Sequence, residues 1–234
     1  DNEVAEAKKI CREIKPKGLV FLGGDSGNFI SGFKHIKVPS VLATVVMDEL
    51  RFDNLSMVGV NDRAAGEAAI NLLTQKGHRN ICIIGADPAV STPTKLRLKG
   101  CLDTLKRLGI PFEKGQFLQA SFTWESAYDA MKLYLENNKA PTAVFATSDT
   151  QAIGAVRAIL DAGLSVPGDI SIVGFDGTPI TRYYNPTLAT MVQPGHEIAK
   201  ASIKLLLKCI ERENPAQTIL LEARYQTGDS VRAL

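Results

Sequence analysis

The chain has 234 residues, 45% of them hydrophobic and 22% charged, with a formal net charge of +2. That is ordinary for a globular protein with room for a sizeable core, and it supplies no general electrostatic pull toward nucleic acid or a membrane surface. No apolar run approaches the ~18 residues of a membrane span, and the opening DNEVAEAKKI lacks the features of a signal peptide. The four cysteines, Cys11, Cys82, Cys101 and Cys209, never form a C-x-x-C pair. They read as reduced, packed thiols of a cytoplasmic protein rather than as zinc ligands or a disulfide framework.

Residues 3 to 14 carry a helical apolar pattern (Val4, Ala7, Ile10, Cys11, Ile14) that Pro16 stops. GLVFLGG at 18–24 is a short buried strand entering a Gly-rich turn, and further strands are expected at 38–43 and 57–60. After Asn61-Asp62, Ala65, Ala68, Ala69, Leu72 and Leu73 define a helix that Gly77 closes. Ile81-Cys82-Ile83-Ile84-Gly85 is apolar throughout, which suits a strand covered on both faces. A helix through Leu98, Cys101 and Leu105 ends at Gly109, a weaker strand lies at Phe117-Leu118, and a helix runs through Ala127, Met131 and Leu135. Thr142 to Ala146 is a strand, followed by a capping box with Ser148 as N-cap and Gln151 at N3, then a helix through Ala152, Val156 and Ile159.

From Asp169 the chain reads as a buried strand ending at Gly174-Phe175-Asp176. Thr178-Pro179 opens a short helix as N-cap and N1, Asn185-Pro186 breaks it, and a short strand leads to Gln193-Pro194. A long helix from Pro194 to about Arg212, a strand at Thr218 to Leu221 and a polar tail complete the chain. Alternation of this kind, with strands too apolar for one-sided burial, predicts an α/β fold with doubly wound parallel sheets.

Chemistry-bearing motifs are absent. There is no G-x-x-x-x-G-K-[ST], no G-x-G-x-x-G between strand and helix, and no H-E-x-x-H, so neither a cofactor nor a metal is expected. Gly24-Asp25-Ser26-Gly27 reads as a turn and not as a protease nucleophile, and His78 reads as a surface residue. The remaining signal is ligand-type residues collected after successive strands. Ser91, Pro93 and Arg97 follow the strand at 81–85; Phe122 and Trp124 follow the one near 117; Ser148 and Asp149 follow the one at 142–146; Asp176 ends the one at 170–174. Open α/β sheets bind ligands at these carboxyl ends. Arginine donates a bidentate pair, aspartate accepts from hydroxyls and an aromatic ring covers an apolar face, a combination suited to a sugar or similar polar ring. With no base or nucleophile beside them, these residues point to binding and not to an enzyme.

The segments GHRNICIIG at 77–85, STPTKLRLKG at 91–100, FTWESAY at 122–128, PTAVFATSDTQAIGAVRAILDAGLSVPGDISIVGFDGTP at 141–179 and NPTLATMVQP at 185–194 resemble the lactose and galactose repressor family. The resemblance implies two α/β lobes of periplasmic-binding-protein type I joined by three crossings. It assigns 1–77 plus 195–217 to an N-terminal lobe and 79–191 plus 218–234 to a C-terminal lobe. The first β-α-β unit of the N-terminal lobe and a DNA-binding headpiece are expected outside this stretch. Residue by residue, it implies effector binding by Arg97, Asp176 and Phe122, a polar contact at Ser148, a specificity loop at Ser91 and Pro93, and a lobe crossing at Gln193. Gly24 near the first lobe's contribution and Asp62, Asp149 and Trp124 are further candidates. The implied function is effector sensing, with ligand-induced lobe movement controlling operator DNA binding by a homodimer through an N-terminal helix-turn-helix. The effector is expected to be a sugar or sugar phosphate, with a nucleobase as the other possibility. The alternative on the same fold is a periplasmic sugar-binding protein serving a transporter.

Overall fold

The computed structural model describes residues 2–212 and 215–234. In chain order the elements are α1 (Glu3–Glu13), β1 (Leu19–Leu22), α2 (Ser26–Gly32), β2 (Ser40–Thr44), β3 (Leu55–Val60), α3 (Asp62–Gln75), β4 (Ile81–Gly85), α4 (Thr92–Arg107), β5 (Phe117–Gln119), α5 (Trp124–Asn137), β6 (Ala143–Ala146), α6 (Asp149–Asp161), β7 (Ser171–Asp176), β8 (Ala189–Val192), α7 (Gly195–Arg212), β9 (Thr218–Leu221) and β10 (Arg224–Gln226). They form two compact units. One holds the chain up to Asn61 with Pro194–Glu222, the other Asp62–Gln193 with Ala223–Leu234. The chain therefore passes between units three times, as the family resemblance implies.

The first unit is built on a parallel sheet of order β1-β2-β3-β9. Its core is aromatic: Phe29 and Phe33 stack with ring centroids 5.5 Å apart, and Phe21 meets Phe29 edge-on at 5.0 Å. The Gly24–Gly27 segment, read as a turn, instead delivers Asp25 to accept a hydrogen bond from the Asn28 amide as the N-cap of α2. Only Phe29 and Gly32 of α2 are buried, so its sequence carries too little apolar periodicity to announce a helix.

The second unit has the sheet order β10-β8-β7-β6-β4-β5. All its pairings are parallel except β10 with β8, an antiparallel edge contributed by the polar tail. Strands β4 and β6 are buried at every position and β7 at every position but Asp176. Cys82, Ile84, Val144, Ala146 and Ile172 face one apolar layer, while Ile81, Ile83, Phe145 and Val173 are equally buried on the other. That two-sided burial is why these strands are apolar throughout.

The expected lobe boundaries change in two places. Helix α3 belongs to the second unit, where glycines let it approach α4 closely: a Cβ on Gly66 would overlap the Arg97 carbonyl and one on Gly100 the Arg63 carbonyl. Strand β9 belongs to the first unit, because Thr218–Leu221 continues the sheet beside Met57–Val60 of β3. His78 is buried and not on the surface, its Nε2 lying 3.1 Å from the Arg232 carbonyl. Burial pushes its pKa below the ordinary imidazole value.

Candidate functional site

At the carboxyl ends of β4, β6 and β7, within the second unit, a buried polar group gathers around Arg97. Arg97 sits on the inner face of α4 and is only 5% exposed. Its Nε donates to Asp62 Oδ1 at 2.8 Å, its Nη1 donates to the Thr147 carbonyl at 2.6 Å, and its guanidinium carbon lies 3.4 Å from the Phe175 ring centroid. A cation removed from water needs such compensation: an opposite charge, a carbonyl and an aromatic face. Asp62, at the start of α3, is 3% exposed, and burial raises its pKa against the opposing attraction of Arg97. The glycine-mediated approach of α3 and α4 explains this ion pair, since Gly66 and Gly100 lie one turn beyond Asp62 and Arg97 respectively.

Asp176 ends β7 with φ +115°, outside the ordinary basins of an L residue. Gly177 follows at φ +75°, where a Cβ would come 2.7 Å from the Val192 side chain, so a larger residue has no room here. Gln193 holds Asp176 twice: its backbone N–H donates to the Asp176 carbonyl at 3.0 Å and its Nε2 donates to Oδ1 at 2.6 Å. Burial pushes the Asp176 carboxyl up to about 6, with Arg97 and the Gln193 bond pulling the other way and the charges of Asp149 and Asp62 adding to the rise.

The other candidates divide. Ser91 is the N-cap of α4, accepting from the Thr94 amide, and Pro93 lies in the first turn of that helix. Ser148 caps α6 as expected, but Gln151 does not return to its backbone: Gln151 Oε1 accepts from the Thr147 and Ser148 hydroxyls and its Nε2 donates to the Ala120 and Ser121 carbonyls. Gln151 thus ties the end of β5 to the start of α6, a role its capping position concealed. Asp149 is fully buried and engaged by Thr178 and Thr190. The Thr178 hydroxyl is therefore not a helix cap, and Pro179–Arg182 forms a short 3-10 turn instead of an α-helix. Phe122 lies half-exposed just before α5. Trp124 turns elsewhere, lining a groove of about 700 Å³ between α5 and α6 with Tyr128, Ile153, Arg157, Asp161 and Tyr184. Gly24 belongs to the first unit, where a Cβ would meet the Phe29 ring at 2.6 Å, so packing accounts for it. The four cysteines are free, and among the described residues no cluster of His, Cys, Asp or Glu has metal-binding geometry.

A family model described as periplasmic binding protein-like domain matches residues 70–231. The chain belongs to this family. Its relatives assign it to the lactose/galactose-repressor type of effector domain. The regulator MalR of Clostridium butyricum is 31% identical over 94% of this chain and 66% of its own length. The repressor CytR of Escherichia coli is 34% identical over 84% of this chain and 57% of its own. Among solved structures, a LacI family transcriptional regulator from Enterococcus faecium with bound ribose has a TM-score of 0.84 and 25% identity, covering 100% of this chain and 86% of that one. This chain spans roughly three-fifths of the length of such curated relatives. Both are named as HTH-type transcriptional regulators. Among the described residues no helix of the family member is long and apolar enough to cross a membrane.

Proposed function

We propose that this chain is the effector-sensing domain of a cytoplasmic DNA-binding regulator and that its effector is a neutral, hydroxyl-rich molecule, a sugar or a nucleoside. The observation that carries this reading is that both polar anchors of the site are tied to residues flanking the passes between units. Asp62, the first residue after one pass, pairs with Arg97, and Gln193, the last before another, holds Asp176. A ligand hydroxyl that competes for Arg97 or Asp176 changes what Asp62 and Gln193 bond to. Its differential affinity for two arrangements of those crossings is the free energy available to move the lobes and alter operator binding by a helix-turn-helix outside this stretch.

The charge balance supports a neutral effector over a sugar phosphate. Arg97 is already engaged by Asp62, and Asp149 and Asp176 add further carboxyls to the neighbourhood, so a phosphate dianion meets more negative than positive charge. One oxygen of Asp176 is taken by Gln193, and among the described residues nothing donates to the other, which suits it to accept from a ligand hydroxyl. Ribose in the Enterococcus structure is a ligand of this kind. A thermal-shift panel tests the proposal, pairing D-ribose, D-galactose and uridine with ribose 5-phosphate, galactose 1-phosphate and uridine 5′-phosphate. A neutral member should raise the melting temperature more than its phosphorylated partner. A preference for the phosphorylated set contradicts the charge argument, and no response to any neutral sugar or nucleoside contradicts the effector class.

The active form is a homodimer in this reading. Exposed Trp124 and the half-buried Ile153 and Tyr184 line the α5–α6 groove and form the kind of patch that protein interfaces cover. Ile153→Asp should shift sedimentation from dimer to monomer; an unchanged sedimentation coefficient removes that face from consideration.

A further inference from the structure

Asp149 is a fully buried carboxyl that no ligand need touch, yet it accepts hydrogen bonds from Thr178 and Thr190, which lie in the chain beyond β7. Its Oδ2 accepts from the Thr178 amide at 2.7 Å and from the Thr178 hydroxyl at 2.8 Å, and its Oδ1 accepts from the Thr190 hydroxyl at 2.6 Å. The fit around it is close, since a Cβ on Gly174 would lie 2.5 Å from Oδ1. Between Gly174 and Thr178 stand Phe175, Asp176 and Gly177, the last two with φ of +115° and +75°. A non-glycine residue in such a conformation costs about 1–3 kcal/mol and persists only where its surroundings over-determine it. Gln193 constrains Asp176 from one side through the β8 end. On the other side, the tether beyond the turn is Thr178, and Thr178 is held by Asp149.

We propose that Asp149 is a positioning residue for the effector site: its carboxyl anchors Thr178 and Thr190 and so fixes the turn that presents Asp176. It does this without touching the effector. The proposal rests on the reading that Asp176 contacts effector, but its test does not. The Thr178 amide can only donate, so the position requires an acceptor. Alanine removes that acceptor. Asparagine restores it, with its carbonyl toward Thr178 and the Thr190 hydroxyl turned to accept from the amide.

Amide hydrogen exchange on the whole chain, with no ligand present, reads this directly. In Asp149→Ala, exchange at Thr178 and Gln193 should accelerate at least tenfold, while the Thr147 amide, bonded to the Ile84 carbonyl across β4 and β6, keeps its protection. Asp149→Asn should bring Thr178 and Gln193 back to within about threefold of the parent. Unchanged exchange at Thr178 in a folded Asp149→Ala overturns the proposal. So does an equal loss at Thr147, which makes Asp149 a general stabiliser, and so does a failure of asparagine to restore protection. If the alanine variant does not fold, Thr178→Val decides: it removes one bond and leaves the charge, so exchange at residue 178 should rise severalfold with Thr147 unchanged, and no rise overturns the assignment. Loss of the effector class in the thermal-shift panel leaves this result untouched, so the two failures are distinguishable.

Discussion

The two units have parallel sheets of one general kind, yet they bury different things. In the first unit the buried polar residues are Ser40, Ser56 and Ser202, set against a core of phenylalanines and aliphatics. In the second, Asp62, Arg97 and Asp149 are buried at the strand ends and Asp176 partly so. Removing charges from water is expensive, and ion pairs recover that cost only with good geometry and further hydrogen bonds. A fold needing only stability has no reason to collect one guanidinium and three carboxyls in one place. The first unit shows that such a sheet is built without them. The difference supports the proposal that the second unit's strand ends form the effector site.

The contrast breaks most sharply at Arg97. Arg97→Ala leaves Asp62 buried without its partner and frees the Thr147 carbonyl, so unfolding by urea should show a loss of about 3–5 kcal/mol; a loss below 1 kcal/mol means the pair is not desolvated as described. Next comes the packing that creates the pair. Gly66→Ala forces α3 away from the Arg97 carbonyl and should cost about 1–3 kcal/mol by the same measurement, together with any effector response, whereas a neutral result means the helices yield. Smallest is the first unit's counterpart. Ser56 accepts from the Gln217 amide, and Ser56→Ala should cost about 1 kcal/mol without altering effector response. A loss of response there places binding chemistry in both units and undoes the contrast.

The architecture was legible where local pattern and burial agree. Strands β4, β6 and β7 announce themselves because they are covered on both faces, and their carboxyl ends follow from alternation alone. What escaped depends on distant partners. His78 is buried with its Nε2 against a carbonyl 154 residues away, and β10 is a polar edge strand with no apolar period to reveal it. Asp62 and Arg97 stand 35 residues apart, and their pairing is set by Gly66 and Gly100. Each glycine lies one helical turn after its charged residue, a spacing that could have flagged a close helix crossing beneath an ion pair. Trp124, one of the weaker candidates, lines the α5–α6 groove. Sequence neighbourhood alone does not place it, because the face of a helix is decided by packing, here against α6.

The central claim is that Asp176 is charged at a cost to the fold. Folding raises its carboxyl from the ordinary 3.8 to about 6, so the folded state holds this proton more tightly than the unfolded chain. The stability from the protonated form is complete below about pH 4 and is lost as pH rises through about 6. Asp176→Asn keeps an acceptor for Gln193 and tolerates positive φ, but it has no charge to desolvate. Urea unfolding of both proteins from pH 4 to pH 8 should give curves that lie close together near pH 4, diverge as the pH rises to about 6 and stay apart above it, with the asparagine variant more stable by up to about 3 kcal/mol. An asparagine variant less stable than the parent at pH 7 would contradict the account, making Asp176 a structural carboxylate and not one held for a ligand.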